Sequence, residues 1–264
     1  MRAGERWARI GAAAVLIPVY AFLLVPLIAV VAASVTAGEL MRVPPQGFSL
    51  KWFGRFFDNV VFMEALTLSL RVALTTTVCV CVLATLAALC HRALSRRLGA
   101  AFRVAMTLPL LLPELLTAIG LLFFVYKVGL GKSLLGLQIG HVVIAFPFAF
   151  LSIVAALEQV DPALEEASDS LGAGGFETFR RVLLPLMKPG LMTGALFAFI
   201  VSMDIFTVSL LLKPIGGNTL PLALFDFLAY DFDPTAAAAA TISVILAFAG
   251  VVLIEKLVGL RRAF

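Results

Sequence analysis

The sequence predicts an all-helical, polytopic membrane protein with six transmembrane helices, organised as one domain over residues 1–264. Three observations predict it: apolar runs long enough to cross a bilayer, a shortage of charge, and a lopsided distribution of Lys and Arg. Charged residues make up 14% of the chain and hydrophobic ones 62%, where a water-soluble domain carries roughly a quarter charged. That apolar excess is more than one core encloses, so the solvent is lipid. The aromatics agree: 22 Phe against 3 Tyr and 2 Trp favours rings that need no hydrogen-bond partner in hydrocarbon.

A helix crossing the hydrocarbon layer needs about 20 residues. Ile10 to Val35 carries no charge and is longer than the roughly 7–15 apolar residues of a signal peptide, so it reads as an anchoring first span, kinked at Pro18 and Pro26. An extracytoplasmic loop from Thr36 to Ala65 follows, where Pro44, Pro45 and Gly47 oppose a long helix. Val72 to Cys90 makes span two and Val104 to Tyr126 span three, the latter containing Glu114. Gly140 to Leu157 makes span four, with His141 near its outer end read as a satisfied interfacial residue. Leu191 to Leu212 makes span five, with Asp204 near its middle. Thr235 to Ile254 makes span six, with Asp233 and Pro234 as N-cap and first helical residue.

With both termini on one side, thirteen of the 20 Lys and Arg fall on that side and six on the other, Arg71 lying at a span edge. Positive loops stay inside, so both termini are expected in the cytoplasm of a bacterial inner membrane. The net charge of +4 follows this topology and gives no reason to expect a nucleic-acid partner. Cys79, Cys81 and Cys90 share one apolar run and read as small helix residues rather than a disulfide or metal framework.

The longest cytoplasmic loop, about residues 158–189, has a different chemistry. Asp161 and Pro162 open a helix over Pro162 to Leu171, with Glu165 and Glu166 in its early turns, where the helix dipole favours acids. Gly172, Gly174 and Gly175 end it and permit a reversal. A second short helix over Phe176 to Leu184 places Phe176, Phe179, Val182 and Leu183 on one side and Arg180 and Arg181 toward its end. Pro185 and Pro189 then punctuate entry into span five. Physics alone leaves two readings of this helix–glycine–helix elbow: a docking surface, or an amphipathic loop lying in the lipid interface.

Glu166-Ala167-Ser168, three residues, Gly172, nine residues, Val182, one residue, Leu184-Pro185 resembles the EAA loop of type I ABC importer permeases, the MetI-like fold. Ser168 replaces the second Ala and Val182 the Ile. The resemblance implies that the loop is a coupling helix seated in a groove of an ATP-binding subunit dimer. On it, Glu165, Glu166, Ala167, Gly172, Phe176, Phe179, Arg180, Leu184 and Pro185 are the coupling positions, and Phe176 and Phe179 would enter the groove. Shorter pieces look like the second permease of spermidine/putrescine-type importers: PPQGFSLKWF from Pro44, SLRVA from Ser69, PELL from Pro113, SMD from Ser202, TLP from Thr219 and EKLVGL from Glu255. This resemblance implies a second six-helix permease as a heterodimer partner and an extracytoplasmic solute-binding protein.

Nucleotide chemistry is not expected in this chain. Gly131-Lys132-Ser133 ends like a phosphate-binding loop, but the required first Gly falls at Tyr126. No cofactor or metal is expected here, the partner ATPase holding ATP and magnesium, and the chain is not expected to be an enzyme. Intramembrane acids are costly and point to function. Asp204, with Ser202, Met203 and Thr207 beside it, and Glu114, after Pro109 and Pro113, are the candidate substrate path and suit a small amine-bearing cation. Many polyamine permeases have a second acid where this chain has Ile205. Aminophosphonate, opine, amino-acid-like or ferric-iron cargo therefore stays open, as does the other class of an ion-driven secondary carrier, which a chain of 10–12 spans or an inverted repeat would signal.

Overall fold

The computed structural model describes residues 3–42 and 44–258. Arg2, Arg261 and Arg262 of the charge count and the Gly-Leu end of EKLVGL lie outside them. The described secondary structure is helical: α1 Ala3–Ser34, α2 Lys51–Asp58, α3 Val60–Ala93, α4 Arg96–Leu111, α5 Glu114–Lys127, α6 Leu134–Leu157, α7 Ala163–Ser170, α8 Gly175–Thr178, a π-turn Phe179–Leu183, α9 Leu184–Asp204, α10 Thr207–Leu212, α11 Leu220–Tyr230 and α12 Thr235–Val258. An isolated antiparallel bridge joins Thr36 and Phe48.

Among the described residues, five stretches are long and apolar enough to cross a membrane: Ala14–Ser34, Val60–Ala93, Leu134–Leu157, Gly175–Asp204 and Thr235–Leu253. The sixth expected span, Val104 to Tyr126, is not one straight helix. It is the pair α4 and α5, bent by 100°. Pro113 explains the bend, because its ring excludes Leu112 from the helical region, and Leu112 is extended (φ −93°, ψ 144°). The outer loop is shorter than expected, since α3 starts at Val60 and α2 occupies part of it.

The contacts fall into two compact units, Met1–Met63 with Leu224–Ile245, and Glu64–Ala223 with Leu246–Phe264. In the first, the Trp52 indole N–H donates to Thr36 O at 2.7 Å. Phe62 stacks on Phe56 and meets Phe227, ring centroids 5.2 Å apart in each pair. Outside this core, Lys51 Nζ lies 2.7 Å from Glu39. That hydrogen bond holds the exposed Glu39 carboxyl below the ordinary glutamate range. The expected cap of span six is present, with Thr235 N donating to Asp233 Oδ1 at 2.7 Å.

The second unit is built on α6 and α9, and small residues let their backbones close in. A Cβ on Gly190 would lie 2.5 Å from Ala156 Cβ, and one on Gly194 3.0 Å from Ala149 Cα. The four-residue spacing puts both glycines on one face, the small-residue packing that membrane helices use in place of a hydrophobic driving force. Val80, Ala84 and Ala88 of α3 share this core with Phe150 and Ile153 of α6 and Met187 of α9. Polar cross-links add to it: Gln138 of α6 donates to Thr76 Oγ1 and accepts from Thr75 Oγ1, both at 2.6 Å. The three cysteines are free thiols.

Candidate functional site

Besides the Pro113 bend, which carries Glu114, two helix discontinuities in the second unit carry the residues singled out from sequence. The first is the elbow. Ala163 N donates to Asp161 Oδ1 at 2.9 Å, so Asp161 starts α7 as its type predicts. The helix ends at Ser170, and Leu171 N and Gly172 N close the turn on Ala167 O and Asp169 O. Gly172 has φ +81°, a left-handed conformation that a β-carbon disfavours. Nothing lies within 4 Å of a Cβ placed there, so the demand for glycine is conformational rather than steric.

Across the turn, Ser168 Oγ and Thr178 Oγ1 are 2.9 Å apart. Ser168, a departure from the EAA pattern, thus joins the two arms of the elbow with a hydrogen bond that alanine lacks. A concavity of about 390 Å³ opens between those arms, lined among others by Leu164, Leu171, Gly172 and Val182.

The second arm differs from expectation. Gly175–Thr178, the π-turn and α9 form one continuous helical path, so Pro185 and Pro189 do not separate the elbow from span five. Pro185 has no N–H to give Arg181 O. The register widens just before it, with Leu184 N donating to Phe179 O five residues back. Glycine 174 is extended and Gly175 already helical, so of the three glycines only Gly172 needs a positive φ.

The predicted aromatic pair divides. Phe176 is 77% exposed, whereas Phe179 turns inward and packs against the core of the unit with Leu184. Leu171, which sequence reasoning passed over, is 88% exposed at the tip of the turn. Glu166, Ala167, Arg180 and Pro185 are exposed as well. Glu166 and Arg180 make no ion pair among the described residues, whereas Arg181 pairs with Glu177 at 3.0 Å.

Arg92, at the end of α3, ties the elbow to the spans. Its Nε donates to Glu165 Oε1 at 2.7 Å, and its terminal nitrogens donate to Leu157 O and Val160 O. The two carbonyls lie at and just beyond the end of α6, where a cation suits the helix dipole. Glu165 thus faces inward to Arg92 and is not free for an external contact. Arg92 was legible only as a basic residue at a span end.

The second discontinuity interrupts span five. α9 stops at Asp204, Ile205 is extended (φ −58°, ψ 109°), and α10 restarts at Thr207. Asp204 therefore ends a helix rather than sitting in the middle of one. Its side chain is exposed and makes no hydrogen bond or ion pair among the described residues. Glu114 is likewise exposed, as the first residue of α5 beyond the Pro113 bend. Met203 and Thr207 are half-buried.

Ser202 faces the interior, where its Oγ lies 2.8 Å from His141 Nδ1. It is engaged there and does not join Asp204 on the exposed side. His141 is 1% exposed, correcting the interfacial reading, because α6 begins at Leu134 and carries residue 141 inside the packed unit. Its Nε2 lies 3.0 Å from Ser209 Oγ, and Ser209 Oγ donates to Ile205 O at 2.7 Å. Such interhelical bonds contribute about 0.6 kcal/mol each in membrane proteins, while leaving a buried partner unpaired costs about 1–3 kcal/mol. Loss of His141 is therefore felt mainly at Ser202, since Ser209 keeps its bond to Ile205 O. Gly140 is required beside it: a Cβ there would lie 2.5 Å from Val208 Cγ1 on α10.

Long apolar helices, one sharply bent span and a structured helix–glycine–helix elbow make up a polytopic membrane protein. A family pattern described as "Binding-protein-dependent transport system inner membrane component" matches residues 80–262, and the chain belongs to that family. It is a multi-pass permease subunit of an ABC importer, contributing to the translocation path.

Among its relatives, the spermidine/putrescine transport system permease protein PotC of Haemophilus influenzae is 28% identical over 235 residues, covering 89% of this chain and 91% of that protein. The putrescine transport system permease protein PotI of Escherichia coli K12 is 28% identical over 240 residues, covering 88% and 84%. The fold is similar to that of a chain in a bacterial alginate ABC transporter crystallised with its pentasaccharide-bound periplasmic protein. There the TM-score is 0.73 at 16% identity, with 96% of this chain and 94% of that one covered.

Proposed function

We propose that this chain, as a single permease domain, moves a small amine-bearing cation of polyamine type, paired with a second, different six-helix permease. A dimer of ATP-binding subunits hydrolyses ATP in the cytoplasm, where both termini of this chain lie, and an extracytoplasmic protein delivers the solute. The elbow is the coupling element. The observation that carries this part is the pair of apolar side chains it holds into solvent, Leu171 and Phe176. Two exposed apolar tips on a loop with free Glu166 and Arg180 suit a protein groove better than bulk water. The cargo reading rests on the names of the relatives and on Asp204 and Glu114, two exposed carboxylates at helix breaks within spans. Anionic groups at such breaks suit a cation, as intramembrane charges that serve function do.

The test is uptake by the four-part importer rebuilt in vesicles with its cognate ATPase, second permease and solute-binding protein. Labelled putrescine or spermidine is expected to accumulate only with ATP inside and to persist when ion gradients are collapsed. Accumulation of an aminophosphonate, opine, amino acid or ferric iron instead would replace the cargo. Uptake that follows the ion gradient without ATP would reject the importer mechanism.

A further inference from the structure

The break in span five contains neither glycine nor proline; it reads Asp204-Ile205-Phe206-Thr207. Something other than local chain stiffness must set its geometry. One side chain, His141 from α6, bonds to both flanking helices.

The protons around it can be assigned by counting donors. Ser209 has one O–H, and it goes to Ile205 O. Ser209 Oγ therefore accepts from His141, which makes Nε2 the protonated ring nitrogen. Nδ1 is then free to accept the Ser202 O–H. The chain of bonds runs in one direction: Ser202 to His141, His141 to Ser209, Ser209 to the carbonyl of Ile205. The neutral ring satisfies every member. The last bond matters most, because Ile205 O lies at the interruption, and the first is anchored two residues before Asp204. The exposed carboxylate is held from both sides by a network it does not itself join.

We propose that His141 is the positioning residue for Asp204, fixing the α9–α10 break through Ser202 and Ser209 so that the carboxylate is presented in one geometry. It acts through the break and does not touch the cargo. The inference rests on the reading of Asp204 as a cargo contact only for its consequence in transport; the staple itself stands on the hydrogen bonds.

The experiment uses the assembled importer with Cys79, Cys81 and Cys90 replaced by Ser and a reporter thiol introduced as Asp204→Cys. The rate of its modification by a cationic methanethiosulfonate reads how tightly position 204 is held. His141→Leu is expected to raise the rate at least fivefold. His141→Gln, whose amide can accept from Ser202 and donate to Ser209, is expected to stay within twofold of the parent. Ser209→Ala, a smaller change, is expected to raise the rate at least threefold and covers the case in which the Leu variant does not assemble.

Rates within twofold of the parent in both His141→Leu and Ser209→Ala, including no reaction in any of them, would overturn the staple. A Gln variant as fast as the Leu variant would do the same. Putrescine uptake by Asp204→Asn, with the native thiols present, tests the separate reading. Normal uptake there removes the cargo role of the carboxylate and leaves the staple intact.

Discussion

The elbow at Gly172 and the break at Ile205 are both places where a helix stops and another begins, and they are built in opposite ways. The elbow is made by its own sequence. A capping Asp161 starts it, a left-handed Gly172 turns it, and Ser168 and Thr178 hold its arms together from ten residues apart. The break has no such local device and is held from another helix by His141, 61 and 68 residues away from the serines it bonds. The elbow faces outward with its apolar tips exposed; the staple of the break is buried. A surface that must fit a partner carries its shape with it, whereas a site inside the bundle takes its shape from the packing around it.

That contrast can be broken first at Gly172. Gly172→Val forces a β-branched residue to φ +81°, a strain of about 1–3 kcal/mol. Because the site is open, the strain is relieved by changing the turn rather than by unfolding. Coupled ATP hydrolysis and uptake are expected to fall at least 50-fold while the chain still inserts, measured in membranes with a quantified amount of chain. Normal coupled hydrolysis would show that the elbow needs no fixed turn.

A smaller effect is expected at Arg92. Arg92→Gln leaves Glu165 without its charged partner and uncaps the end of α6. The elbow should keep its turn but lose its fixed link to α3, lowering the transport rate about three- to tenfold with stimulated hydrolysis reduced less. Equal loss of both would assign Arg92 to assembly alone.

The smallest effect is expected outside both regions. Glu39 is an exposed partner of Lys51, held below its usual range by that hydrogen bond. A lowered folded-state value means that the pair contributes above the unfolded pKa and is lost as pH falls through the folded one. An exposed pair of this kind is screened by solvent. Glu39→Gln should therefore leave thermal stability at neutral pH nearly unchanged and flatten only a slight decline in acid. A large loss at neutral pH would show that the outer loop is held by this pair.

The same contrast explains how much was legible in the sequence. The long spans were, because hydrocarbon leaves the chain no other choice over 20 apolar residues. Asp161, Gly172 and Asp233 were legible because capping and positive φ are short-range demands tied to residue type. The 100° bend carried a signal, Pro113, but kinks and sharp turns share that signal, and the run was read through as one span. The continuity of the elbow's second arm into α9 was missed because Pro185 and Pro189 look like stops, and a π-turn absorbs the first of them. The inward turn of Phe179, the clamp at Arg92 and the staple at His141 have no local signature. Each depends on which helices meet.

The central claim, that the elbow docks on the ATP-binding subunit, is tested most directly by cross-linking at its exposed aromatic. In the assembled importer with Cys79, Cys81 and Cys90 replaced, Phe176→Cys carrying a short photoreactive probe is compared with the same probe at Phe22, which is 80% exposed on α1. Cross-linking of position 176 to the ATP-binding subunit is expected, and none from position 22. Labelling of lipid alone from position 176 would contradict it and leave the elbow as an amphipathic loop in the membrane interface.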